Sequence, residues 1–232
     1  GDVYKRQEAA LAPATRGRAS CLLLNSYKEN AHPLIDVYEG KISLDEFTAQ
    51  LDDDDLIHLL GGQPNTSVAN TYGYGNLPEY GVPNIMTADG PAGLRITPQC
   101  EVCTTAWPCA TLLASTWNPA LVERVGTAGA EEVKENNIAV WLTPAVNIHR
   151  NPLCGRNFEY YSEDPLLAGK MGAAMVRGIQ SQHIAAAVKH FACNNKETNR
   201  KHSDSRVSER ALREIYFCLL YTSPSPRDVE ES

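Results

Sequence analysis

The chain has 232 residues, 43% of them hydrophobic and 21% charged, with a formal net charge of -7. That is enough apolar material for a substantial core, and too much for a disordered chain. The mild acidity and the lack of a basic run argue against nucleic-acid and anionic-membrane partners, and the longest apolar stretches, such as Ile184 to Val188, are far shorter than a membrane span.

Both ends read as foreign. Gly1 to Gln7 can be encoded by GGAGATGTGTATAAGAGACAG. The reverse complement of that string, read from its second base, encodes Cys-Leu-Leu-Tyr-Thr-Ser and the start of a proline codon, matching Cys218 to Pro224. One inverted DNA element at both ends resembles translated sequencing adapter, so residues 1–7 and 218–232 are set aside from the fold. They hold three of the 21 basic and four of the 28 acidic residues, which leaves -6 for residues 8–217. Residues 8–42 contain Pro13 and Gly17, lack periodicity as far as Asn30, and read as a linker or the end of a preceding domain. The domain proper is then 43–217, and no signal peptide is visible.

Ser43 and Glu46 have capping-box spacing for a short helix carrying Leu44 and Phe47, and a second helix begins in the Asp52 to Asp55 run. Acidic residues suit a helix N-terminus, and this run lacks the spacing and glycine of a calcium loop. Gly61-Gly62 ends that helix, and a loop rich in Gly, Asn, Tyr and Pro continues to Pro83. Within it Gly73-Tyr74-Gly75 is no phosphate loop, because no Lys-Ser/Thr pair follows. Asn84 to Thr87 reads as a short strand running into Asp89.

Two similar units follow. Asn118-Pro119 opens a helix with Leu121, Val122, Val125 and Val133 on one face, and Ile138 to Thr143 is its strand. Asp164-Pro165 opens the next, with Leu166, Leu167, Met171, Met175 and Ile179, and Ile184 to Val188 is its strand. Ser208 caps a last helix reaching Phe217. The alternation predicts an α/β fold, a partial (β/α)8 TIM-type barrel of about three strands and their helices, with an unpaired strand edge.

Outside the tail there are six cysteines: Cys21, Cys100, Cys103, Cys109, Cys154 and Cys193. Scattered thiols favour a reducing, cytoplasmic compartment. Cys100 and Cys103 could hold zinc or form a surface disulfide, but no second CxxC accompanies them, so reduced loop thiols are the simpler reading and neither metal nor cofactor is expected.

The chemistry gathers where the strands end. Asp89 opens Asp-Gly-Pro-Ala-Gly-Leu-Arg95, Arg156 and Glu159 lie in Gly-Arg-Asn-Phe-Glu, and Lys189-His190-Phe191 follows the third strand. Taken alone, Asp89 is a turn aspartate, Arg156 a surface ion-pair partner, and Lys189 either a paired ammonium or a nucleophile. Together they crowd donors, acceptors and aromatic faces (Phe158, Tyr160, Tyr161) at strand exits, where parallel α/β folds bind ligands, and suit an uncharged polyhydroxylated one.

These three motifs, in this order, resemble the sugar-pocket motifs of glycoside hydrolase family 3, the β-glucosidase family, over about Asp45 to Phe217. The resemblance implies a retaining β-glycosidase acting on a terminal β-D-glucosyl residue of a β-glucoside or short β-linked oligosaccharide. It puts Asp89, Arg95, Arg156, Lys189 and His190 against the sugar, with Glu159 in support. It also places the nucleophilic aspartate and the acid/base beyond this segment, so no catalytic residue is expected within it. The run Ala192-Cys193-Asn194-Asn195-Lys196 departs from the Pro-Gly-His-Gly continuation of the family's N-acetylglucosaminide-cleaving branch. The alternatives are a sugar-binding module without catalysis, xyloside or arabinoside specificity, and a metal-binding interaction domain at Cys100 and Cys103.

Overall fold

Side-chain capping starts the helices at the front of the chain. Residues 27–221 are described in a computed structural model, so the readings for residues 1–26 and 222–232 lie outside the described residues. Helix α1 spans Leu34–Tyr38, inside the stretch read as linker. Helices α2 (Leu44–Ala49) and α3 (Asp53–Leu60) each begin with a complete capping box, Ser43 with Glu46 and Asp52 with Asp55. In each box two backbone N–H groups that the helix leaves orphaned are satisfied.

The chain divides into two compact units, one comprising residues up to Ala88 with Ile96–Cys103 and Asn136–Ala139, the other Asp89–Arg95, Thr104–Glu135 and Val140 onward. In the first, the loop predicted to reach Pro83 contains a strand, β1 (Gly73–Leu77), paired antiparallel with β2 (Val82–Ala88) in the register Gly73↔Met86 to Leu77↔Val82. Glycine and asparagine at β1 conceal it, because its stability comes from the pairing and from Leu77 rather than from propensity. Phe47, Leu77 and Tyr80 form the buried core of this unit, with Leu34, Val37, Ile42 and Leu59 packed around it. Cys100 and Cys103 are both free thiols.

The second unit carries a short helix α4 (Ala110–Ser115) that the sequence reading lacks, then α5 (Pro119–Glu135), β3 (Val140–Trp141), α6 (Pro165–Gln180) and β4 (Ala185–Ala186). Asn118 Oδ1 accepts from the Leu121 N–H at 3.1 Å, and Asp164 accepts from Leu166 and Leu167, so both Asx-Pro starts form as expected. β3 and β4 pair in parallel, Val140↔Ala185 and Trp141↔Ala186, with α6 as the crossover. The pairing extends beyond the strands: Ala187 N–H donates to Trp141 O, Lys189 N–H to Pro144 O, and Val146 N–H to Lys189 O at 2.7 Å. Among the described residues this α/β architecture is the unclosed start of a barrel, with four strands where three were expected, the extra one, β1, antiparallel. The two later strands are shorter than predicted.

Helices α5 and α6 meet along glycine. A Cβ on Gly178 would lie 2.1 Å from Glu123 O and 2.8 Å from Thr127 N, and one on Gly126 would lie 2.7 Å from Met175 O. Met171, Met175 and Ile179 are buried on α6 as predicted, whereas Leu166, assigned to the same face, is 54% exposed because it sits in the first turn. The last helix is irregular. Ser208 caps Glu209–Ala211, a π-helical run covers Leu212–Phe217, and Cys218–Tyr221 continues it past the expected end at Phe217, with Leu219 buried.

Gly178→Ala is expected to destabilise the chain by about 1–3 kcal/mol, because backbone cannot yield to the added methyl as a side chain could. Gly155→Ala, where nothing lies within 4 Å of the new atom, is expected to change stability by less than about 0.5 kcal/mol. Urea unfolding of the two variants checks the contrast, and equal midpoints would show that the helices can separate at little cost.

Candidate functional site

The turn after β2 needs glycine at its second position. Gly90 has φ 125 and a Cβ there would lie 1.8 Å from Gly93 O, while Arg95 N–H donates back to Asp89 O at 2.9 Å. The turn thereby holds Asp89 and Arg95 side by side, with Arg95 Nη1 3.3 Å from Asp89 Oδ2. Lys189 leaves β4 with both its peptide groups bonded to the 144–146 backbone, and Nζ reaches Asp89 Oδ1 at 2.5 Å. The Lys189–His190 and Phe191–Ala192 peptides are cis.

Glu159 lies behind this pair. It is 2% exposed, its Oε2 is 3.6 Å from Lys189 Nζ, and its Oε1 accepts from Arg156 Nε. Arg156 spends its other two nitrogens on Glu197 Oε1 at 3.1 Å and His190 Nε2 at 2.9 Å. A guanidinium only donates, so Nε2 must accept and the neutral ring carries its proton on Nδ1. That proton is directed at the Tyr160 hydroxyl, 3.0 Å away. Burial and then the Arg156 and Lys189 charges lower the His190 pKa, in keeping with a neutral imidazole.

Asp89, Arg95, Arg156, Glu159, Lys189 and His190 thus belong to one connected network, all within the second unit. Sequence reasoning does not single out Arg200 or Asn194, and it reads Tyr160 as stacking surface. Tyr160 is 0% exposed and contributes its hydroxyl, which accepts from Asn194 Nδ2 at 3.0 Å. Glu197 joins Arg156 to Arg200, whose Nη1 is 3.2 Å from Oε2. Buried Asn147 clamps the loop that supplies these groups, donating to Asn195 Oδ1 at 2.6 Å and accepting from Asn194 N–H. The polarity of the Asn194 to Glu197 run was a signal. Its return to Arg156 was not, since local spacing carries no information about a contact 41 residues away.

Phe158 is 43% and Phe191 76% exposed, the latter stacked on Phe217 with centroids 5.5 Å apart. Among the described residues no group of three or more His, Cys, Asp or Glu side chains could hold a metal ion, and no helix is long and apolar enough to cross a membrane.

Burial pushes the Asp89 carboxyl up, but the Lys189 ammonium, the Gly90 N–H and Arg95 outweigh it and hold the pKa below the ordinary 3.8. Its contribution to stability is therefore complete well above pH 3.8 and is lost as pH falls through the lower folded value. The stability difference between the parent and Asp89→Asn is expected to shrink in urea titrations below about pH 4; a difference constant from pH 7 to pH 3 would contradict this. Glu159→Gln, which leaves two cations without their shared buried partner, is expected to cost about 3–5 kcal/mol. Arg95→Gln, at a pair whose arginine is 54% exposed, should cost about 1 kcal/mol or less.

Residues 74–221 match the sequence model of the glycosyl hydrolase family 3 N-terminal domain. The chain is 68% identical over 195 residues to beta-glucosidase A of Butyrivibrio fibrisolvens, covering 83% of this chain and 24% of that relative. It is 49% identical over 146 residues to an exo-alpha-(1->6)-L-arabinopyranosidase of Bifidobacterium longum, covering 59% and 19%. Beta-glucosidase 3B of Thermotoga neapolitana in complex with glucose superposes with a TM-score of 0.71 at 48% identity, covering 77% of this chain and 27% of that structure. The chain spans between 19% and 27% of the length of these relatives.

Proposed function

The chain belongs to glycosyl hydrolase family 3, and from that premise we propose that it supplies the sugar-binding face of a retaining β-glycosidase of the β-glucosidase type. The observation that carries this reading is the convergence of Asp89, Arg156, Lys189 and His190 on one partly exposed network. Asp89 accepts hydrogen bonds from two hydroxyls of a terminal β-D-glucosyl residue, and Lys189 and Arg156 donate to sugar hydroxyl oxygens. His190, neutral, lies beside the sugar and orients Arg156 by accepting from it, and Arg95 steadies Asp89. Charges paired with one another in this way suit a neutral ligand, since an anion or cation would leave one partner uncompensated.

Glu159 acts in support. A carboxylate 2% exposed and held by two cations can neither reach a glycosidic oxygen nor carry a proton to it. Retaining hydrolysis needs a nucleophile and an acid/base carboxyl about 5–5.5 Å apart, and both belong to parts of the enzyme outside these 232 residues. Residues 1–7 and 218–232 are read as adapter-like sequence and 43–217 as a truncated barrel domain. The substrate is a β-glucoside or short β-linked oligosaccharide, and the setting is cytoplasmic.

Arabinoside specificity is the second reading, favoured by the 49% identity to an arabinopyranosidase. A pentopyranose offers ring hydroxyls to the same groups and lacks the hydroxymethyl arm, so the discriminating contacts belong to other parts of the enzyme.

The full-length enzyme should hydrolyse an aryl β-D-glucoside, and the 232-residue chain should not. In the full-length enzyme Asp89→Ala should weaken glucose inhibition by about 1.5–3 kcal/mol for each charge-assisted bond lost. Parent-like turnover by the short chain would show that a carboxyl within it, such as Glu163, is catalytic, and unchanged glucose inhibition would remove Asp89 from the sugar site.

A further inference from the structure

Tyr160 and Tyr161 are consecutive, and Tyr160 is in extended backbone, so their side chains face opposite ways. Tyr160 joins the His190 network. Tyr161 lines a separate cavity of about 250 Å3 with Ser115, Trp117, His149, Ser162 and Glu163, of which His149 touches that network through the Tyr160 carbonyl.

Four of these side chains have capacity that the fold does not use. Tyr161 is only 3% exposed, yet its hydroxyl has no hydrogen-bond partner among the described residues. Burial raises its pKa, so the phenol stays protonated as a donor. Trp117 adopts the left-handed conformation, φ 53, which is rare for a bulky residue, and its side chain is 72% exposed. Glu163 is exposed and has no cationic partner among the described residues. His149 Nε2 lies 2.9 Å from both Asn157 O and Tyr160 O, so Nε2 carries the proton and Nδ1 is an acceptor in the neutral ring.

We propose that this cavity is a second, non-catalytic carbohydrate site that takes one neutral pyranose ring. Trp117 supplies an aromatic face for the ring's C–H surface, Tyr161 a donor, and Glu163 an acceptor for hydroxyl pairs. An uncompensated carboxylate at the rim rejects anionic ligands. The volume falls below the roughly 300–1,000 Å3 of pockets for drug-sized molecules and suits a single ring. The Tyr161 hydroxyl, at the accessible tip of an otherwise buried side chain and without a protein partner among the described residues, carries the proposal, because packing alone would be served equally well by phenylalanine.

The test is a tryptophan-fluorescence titration with cellobiose in the full-length enzyme carrying Asp89→Asn, which weakens the first site and prevents turnover from obscuring binding. Saturable binding is expected, weakened about tenfold by adding Trp117→Ala, with the titration then followed by calorimetry. Tyr161→Phe, which preserves ring and volume, should weaken it about three- to tenfold and decides the matter if Trp117→Ala does not fold. In the enzyme with Asp89 intact, Tyr161→Phe should leave kcat/KM for an aryl β-glucoside within about twofold. Cellobiose binding that is absent in the Asp89→Asn enzyme, or indifferent to Tyr161→Phe, would overturn the proposal. So would a fall in kcat/KM, which would make the cavity part of the active centre.

Discussion

A carboxylate removed from water must be matched by charge, and Glu159 is where this molecule meets that requirement. At 2% exposure it is held by Arg156 on one oxygen and by Lys189 near the other. The two cations come from different strand exits, so satisfying one buried charge fixes the separation of two segments of the second unit. Arg156 is in turn locked by His190 and Glu197, and Lys189 by Asp89. Side chains with so many partners have little rotamer freedom left to lose when a ligand arrives, which is the benefit of preorganisation.

The same pairing explains what the network can and cannot do. Its groups are charged, but each charge is met locally, so the surface it offers to a ligand is rich in directional hydrogen bonds with little net field. That fits hydroxyl recognition and does not fit phosphate or carboxylate capture, where an excess of one sign is needed. The cavity beside Tyr161 differs in kind. Among its polar groups Tyr161 and Glu163 have no side-chain partner among the described residues, and its aromatic face is open. One region is satisfied by itself, and the other by what it would hold.

Helix packing sets the limits within which this geometry is kept. Gly126 and Gly178 let α5 and α6 approach until backbone touches backbone. α6 is also the crossover between β3 and β4, whose parallel pairing continues as bonds from Pro144 and Val146 to Lys189. Close helix packing and a precisely held lysine are therefore parts of one βαβ unit, and the shortness of the two strands is offset by the bonds that extend them.

Much of this was legible in the amino-acid sequence because it is local. Capping boxes at Ser43 and Asp52, the Asx-Pro starts at Asn118 and Asp164, the buried stripe of Met171, Met175 and Ile179, and the glycine turn after Asp89 are set by groups a few residues apart. The three motifs identified the family for the same reason, since each is short and contiguous. Tertiary structure alone decided that β1 is a strand, that Tyr160 serves a buried network while Tyr161 faces a cavity, and that Glu197 returns to Arg156. Those outcomes depend on partners tens of residues away, and a hydrogen bond between distant segments has no sequence period to announce it.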